Sequence, residues 1–147
     1  MPTVEQLERF LRRVDGDFPV PLSHKQDLGE YACKLREKAT LCAVLEEGEI
    51  LSLAAGYTQN LAENKAYIAI VATLPEGRGR GLAPKLIREF LNICREKQIC
   101  AVHLYAVPSN IPAMKMYKKM GFQKLALENE PRPEDAHLIY YLEDSET

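Results

Sequence analysis

The chain has 147 residues, 46% apolar and 27% charged, with 19 basic against 21 acidic side chains and a net charge of -2. That length fits one domain with a real core, 1–147, and the composition excludes collagen-like, disordered and disulfide-scaffold classes. The charge balance argues against nucleic-acid binding, and no apolar run reaches the roughly 18 residues that span a bilayer.

The chain opens Met-Pro-Thr-Val-Glu, without a basic stretch leading into an apolar one, so this segment does not read as a secretory signal. Cys33, Cys42, Cys94 and Cys100 lie in apolar segments with no CxxC spacing. Buried free thiols in a cytoplasmic protein are the expectation.

Thr3 and Gln6 form a capping box, and Val4, Leu7, Phe10, Leu11 and Val14 follow at helical spacing as far as Gly16. Pro19 and Pro21 mark an extended connection. Ser23 and Gln26 predict a second capping box, before a helix whose apolar face carries Leu28, Tyr31, Ala32, Leu35 and Ala39. The period then changes. Leu41 to Leu45 and Ile50 to Tyr57 flank the turn Glu46-Glu47-Gly48-Glu49 and predict a hairpin. Lys65 to Thr73 adds a third strand of an antiparallel meander, which Pro75 stops. Leu82, Leu86, Ile87, Phe90, Leu91 and Cys94 predict a long helix to near Lys97, followed by a strand from Ile99 to Val107. A short helix from Ile111 to Met120 ends at Gly121, a residue suited to the left-handed position after a helix. Strands from Phe122 to Leu127 and from His137 to Glu143 close the chain around the polar loop from Glu128 to Asp135. The class is mixed α/β, and a right-handed crossover makes 65–73 and 99–107 parallel.

The segment Pro75-Glu-Gly-Arg-Gly-Arg-Gly-Leu-Ala-Pro-Lys-Leu86 joins a strand to a helix. Glycines there allow close backbone approach, and a helix start offers unpaired N–H donors at the positive end of the dipole. An anion site for a phosphate or pyrophosphate follows, with Arg78 and Arg80 as flanking charges. It is not a P-loop, because no Lys-Ser or Lys-Thr follows the last glycine. It is not a dinucleotide fingerprint either, since Pro84 stands where the third glycine belongs. Downstream, Asn110, Ala113 and Tyr117 share one helix face, with a small residue between two polar ones.

Together the two segments resemble the GNAT superfamily of N-acetyltransferases. Arg78-Gly-Arg-Gly81-Leu-Ala83 fits that family's [Gln/Arg]-x-x-Gly-x-[Gly/Ala] signature, and Asn110 to Phe122 fits Asn-x-x-Ala-x-x-x-Tyr-x-x-x-Gly-Phe without a gap. The resemblance implies a mostly antiparallel central sheet with helices on both faces. Its fourth and fifth strands, 65–73 and 99–107 here, should splay apart around acetyl-CoA. The family's short first strand is not evident in this chain. The backbone of Val71, Ala72 and Thr73 would pair with the pantetheine arm. The N–H groups of Arg78, Gly79, Arg80, Gly81, Leu82 and Ala83 would hold the pyrophosphate. Asn110 would contact the arm or order the loop beside it. Tyr117 would protonate the departing thiolate, a role its phenol suits because it stays protonated at neutral pH.

The resemblance also implies direct acetyl transfer to a primary amine of a small molecule or peptide, and it is compatible with a homodimer. The three histidines, His24, His103 and His137, lie far apart in sequence without ligand-like neighbours, so no metal site is expected. A backbone N–H on 65–73 would hold the oxyanion. No base is evident. Strand 65–73 carries neither an acid nor a histidine. His103 either approaches the cleft or is a satisfied core histidine, and the second is the expectation. Tyr57, Tyr67 and Tyr105 could relay protons through water, and His137, Tyr140 and Tyr141 could line the acceptor site. The missing base leaves a non-catalytic acyl-CoA sensor on the same fold as the alternative. A basic-loop nucleic-acid binder using Arg78, Arg80, Lys85 and Arg88 is disfavoured by the net charge.

Overall fold

A computed structural model describes residues 1–142. Two helices, α1 (Val4–Val14) and α2 (Leu28–Lys38), precede β1 (Thr40–Glu46), β2 (Glu49–Tyr57) and β3 (Lys65–Thr73). Helix α3 (Leu82–Glu96), β4 (Ala101–Ala106), α4 (Ile111–Met120), β5 (Gln123–Lys124) and β6 (Ala136–Tyr141) follow. The six strands form one sheet in the order β1-β2-β3-β4-β6-β5. Every neighbouring pair is antiparallel except β3 and β4, which are parallel.

The amphipathic helices sandwich this sheet. Leu7, Phe10, Leu11 and Val14 of α1 and Leu28, Tyr31, Ala32 and Leu35 of α2 bury against Leu53, Ala55 and Ile70 on one face. Leu86, Ile87, Phe90 and Leu91 of α3, with Tyr117 of α4, bury against Ala54, Ala66, Ile68, Val102 and Leu104 on the other. Side chains of this size contribute about 1.5–3 kcal/mol each when fully buried, so both faces supply stability. The Thr3–Gln6 capping box forms as its spacing predicts.

A bulge in β3 positions the site. Ala55 pairs with Ile70 and Gly56 pairs with Ile68, so Ala69 has no partner on β2. One extra residue reverses the alternation. Ile68 therefore packs under α3, whereas Ile70, two residues on, packs under α1 and α2. The β3–β4 ladder has three pairs, Lys65 with Ala101, Ala66 with Val102 and Tyr67 with His103, and then it stops. Beyond that rung the two strands part.

Several local expectations are corrected. Asp27, not Ser23, caps α2 by accepting from the Glu30 N–H, and Ser23 instead donates to Asp15. The strand expected over 99–107 is shorter, at Ala101–Ala106, and the one expected over 122–127 shrinks to Gln123–Lys124. Glu143, the expected end of the last strand, lies outside the described residues. Of the four thiols only Cys42 and Cys94 are buried. Cys33 is exposed and Cys100 half-buried.

Candidate active site

The V-shaped gap between β3 and β4 is walled by unpaired strand edge. Leu74 N–H donates to the Leu51 carbonyl at 2.9 Å. The alternation of an antiparallel ladder then turns the backbone groups of Val71 and Thr73 to the opposite edge, into the gap. Ala72 faces the other way, and its carbonyl accepts from Ser52 Oγ at 3.3 Å, which removes it from the set expected to pair with an arm in the gap. The Thr73 carbonyl is partly spoken for, since Arg78 Nε donates to it at 3.2 Å.

At the wide end of the V lies the glycine loop. Gly79 and Gly81 have φ of +78° and +71°, and a Cβ built on either meets nothing within 4 Å. Open space above a left-handed backbone is what a ligand-contacting turn requires. Gly81 is the N-cap of α3, and among the described residues no N–H of residues 79–83 donates to a backbone carbonyl. The two arginines are not free charges. Arg78 pairs with Asp17 at 2.8 Å and Arg80 with Glu46 at 2.7 Å, both in exposed positions where such pairs exchange readily. The backbone donors and the helix start are therefore the fixed part of the cradle, and the residues present fit a pyrophosphate.

Tyr117 is buried on the α3 side of the sheet, with its ring edge-on to Phe122 at 5.5 Å. Burial pushes its phenol up to about 12, so it stays protonated through the physiological range. Asn110 is the N-cap of α4, accepting from the Ala113 N–H at 3.3 Å.

The sheet face opposite Tyr117 holds a polar cluster that sequence reasoning did not assemble. Val102 and Leu104 point into the α3 core, so His103 and Tyr105 point to the other side. Tyr67, one strand away, places its ring 5.1 Å from that of His103. The loop 125–135 lies over these rings. Glu130 accepts from Tyr105 Oη at 2.7 Å and lies 2.8 Å from His137 Nδ1. Arg132 stacks over the Tyr105 ring at 4.8 Å. His137 is buried, and its Nε2 is 2.9 Å from His103 Nδ1.

His103 is thus only half satisfied, contrary to the expectation of a core histidine, and His137 joins it. Tyr140 and Tyr141 do not. Tyr140 packs on Phe122 and Arg95, and Tyr141 is exposed. The acidic loop was visible in the sequence, but its docking was not, because it depends on which residues of β4 and β6 stand opposite each other.

The sequence model of the acetyltransferase (GNAT) family matches residues 6–122. The chain belongs to the GNAT acetyltransferase family. Acetyl-CoA is the family's co-substrate. A Bacillus subtilis (strain 168) protein with the provisional name [ribosomal protein bS18]-alanine N-acetyltransferase is 40% identical over 58 residues, 40% of this chain and 38% of that one. The L-2,4-diaminobutyric acid acetyltransferase of Virgibacillus pantothenticus is 30% identical over 78 residues, 53% of this chain and 49% of that one. The matches thus span less than half the length of either relative. The crystal structure of PaiA N-acetyltransferase from Thermoplasma acidophilum, in complex with coenzyme A, superposes with a TM-score of 0.71 at 15% identity, covering 95% of this chain and 94% of that one. At that identity the likeness shows a shared fold. Among the described residues no helix is long and apolar enough to cross a membrane.

Proposed function

We propose that residues 1–147 form one acetyltransferase domain that moves the acetyl group of acetyl-CoA directly to a primary amine of a small molecule or peptide. The observation that carries this is the parting of β3 and β4 after Tyr67 and His103, with a glycine cradle at its open end. From Thr73 to Tyr67 the strand runs about 20 Å, six steps of ~3.3 Å, which is the reach of an extended pantetheine arm. The N–H groups of residues 79–83 hold the pyrophosphate, and the edge groups of Val71 and Thr73 guide the arm. The reacting carbonyl then lies near the bulge at Ala69, where a backbone N–H of 68–70 receives the oxyanion. Tyr117 hands its proton to the departing sulfur. Both curated relatives are named for transfer to amines, of an alanine and of diaminobutyric acid, which supports an amine acceptor here. Four unpaired thiols fit a cytoplasmic setting.

The test is release of free thiol from acetyl-CoA with amino sugars, polyamines, amino acids and lysine peptides. Release that depends on one amine class supports the reading and names that class. Calorimetric binding of acetyl-CoA without release from any amine favours an acyl-CoA sensor instead. Absence of binding overturns the cradle.

A further inference from the structure

We propose that His103 is the general base of this site, presenting Nε2 to the acceptor amine, and that His137 and Glu130 are positioning residues that set its tautomer. The proposal rests on the transferase reading and adds the group that removes the proton.

With both imidazoles neutral, the hydrogen-bond chain admits one assignment. Glu130 is ionised, because the Tyr105 hydroxyl and His137 hold its carboxyl below the usual range. A carboxylate only accepts, so His137 Nδ1, 2.8 Å away, carries the hydrogen. In that assignment the other ring nitrogen of His137, Nε2, carries the lone pair. That atom accepts from His103 Nδ1 at 2.9 Å, so His103 Nδ1 carries the hydrogen and His103 Nε2 carries the lone pair. His103 Nε2 makes no hydrogen bond among the described residues, yet no side-chain nitrogen or oxygen there is both buried and unpaired. It is therefore not sealed from solvent. The three residues form a line rather than converging on a point, and among the described residues no three such groups are disposed to hold a metal ion.

The location matches the need. His103 stands on the last rung of the β3–β4 ladder, at the vertex where the acetyl end of the arm lies. The groups facing it are Tyr67 and Lys65 of β3, Tyr105 of β4, His137 of β6, and Glu130 and Arg132 of the loop. Burial above all, with the Lys65 charge adding to it, holds its imidazole below the ordinary histidine value against the pull of Glu130, so the ring is neutral and its Nε2 lone pair is free at pH 7.

The step balances as follows. The acceptor ammonium gives one proton to His103 Nε2, and the freed amine forms the C–N bond as the carbonyl becomes an oxyanion. Collapse breaks the C–S bond. Tyr117 gives its proton to the thiolate and regains one from the new amide nitrogen, while His103 returns its own to solvent. The charge on His103 can pass inward, because moving its Nδ1 hydrogen to His137 leaves an imidazolium against the Glu130 carboxylate.

Three measurements test this. Imidazole nitrogen-15 NMR of the folded chain at pH 7 is expected to show His103 and His137 both as Nδ1–H tautomers, and Glu130→Gln is expected to mix those of His103. An Nε2–H tautomer at His103 overturns the proposal. Diethylpyrocarbonate is expected to modify His103 at least tenfold more slowly when calorimetry shows acetyl-CoA bound. Equal rates with acetyl-CoA bound overturn the base and spare the transferase reading, whereas absence of binding overturns both. With the amine that releases thiol, His103→Asn keeps the Nδ1-like donor to His137 but lacks Nε2. It is expected to lower kcat roughly 100-fold at pH 7, and to make the rate rise with pH as free amine accumulates, with KM for acetyl-CoA within a few-fold. A variant that folds and keeps the wild-type profile overturns the proposal.

Discussion

Gly56 stands opposite Ile68, immediately beside the bulge, and a Cβ on it would lie 2.2 Å from the Tyr67 carbonyl oxygen and 2.8 Å from Phe90 Cζ. The Phe90 ring, from the middle of α3, thus rests on the one position in the described strands that has no side chain, next to the rung where β3 and β4 part. Gly56→Ala must push either backbone or a fully buried ring. Overpacking of this kind costs about 1–3 kcal/mol. We expect the melting temperature to fall by roughly 5–10 °C. An unchanged melting curve would show that the bulge yields without cost.

Gly81→Val tests the cradle. The φ of +71° disfavours a β-branched residue by about 1–2 kcal/mol, and the new side chain fills the open space above the N–H groups. Acetyl-CoA affinity by calorimetry should fall at least tenfold, while circular dichroism keeps the folded spectrum. Unaltered affinity would place the pyrophosphate elsewhere.

Arg78 and Arg80 flank Gly79 but do different work. Arg78 clips the loop to the end of β3 through the Thr73 carbonyl, whereas among the described residues Arg80 reaches only Glu46. We expect Arg78→Ala to weaken acetyl-CoA binding several-fold more than Arg80→Ala. Equal effects in a titration would mean that charge, not loop placement, is what both supply.

Tyr117→Phe removes one hydroxyl from a packed ring and nothing else. We expect kcat to fall about 10²–10³-fold, within the range for a lost general acid, with acetyl-CoA affinity within a few-fold. Turnover equal to wild type would remove Tyr117 as the acid.

The thiols and phenols predict alkaline behaviour. Burial raises Cys42 and Cys94 to about 11 and Tyr117 to about 12. These groups ionise more easily in the unfolded chain. The stability tied to them is complete below their unfolded values and is lost as pH rises through about 11 and then about 12. Urea midpoints should therefore drop steeply above pH 9. At pH 8, exposed Cys33 should react with a thiol reagent within minutes, and Cys42 and Cys94 only on unfolding. Equal labelling of all native thiols would contradict the burial.

Local order was legible in the chain itself. The Thr3–Gln6 box, the apolar stripes of α1, α2 and α3, the Gly121 stop and the glycine loop before α3 all depend on residues within a turn or two of one another. Such patterns survive without knowledge of the rest of the molecule. So did the motif pair from Arg78 to Ala83 and from Asn110 to Phe122, which was enough to imply a splayed sheet and a tyrosine acid. Contacts across strands were decided only on folding. The bulge at Ala69 changes which face Ile70 serves, and no period in 65–73 announces it. Glu130 is one of four acids in the polar loop from Glu128 to Asp135, and only the β4–β6 register, which sets His137 opposite Tyr105, brings it down onto both. The pairing of Arg78 with Asp17 likewise joins positions 61 residues apart. The general base belongs to this second kind. A histidine's tautomer is set by whatever lies against its other nitrogen, and here that neighbour comes from a different strand.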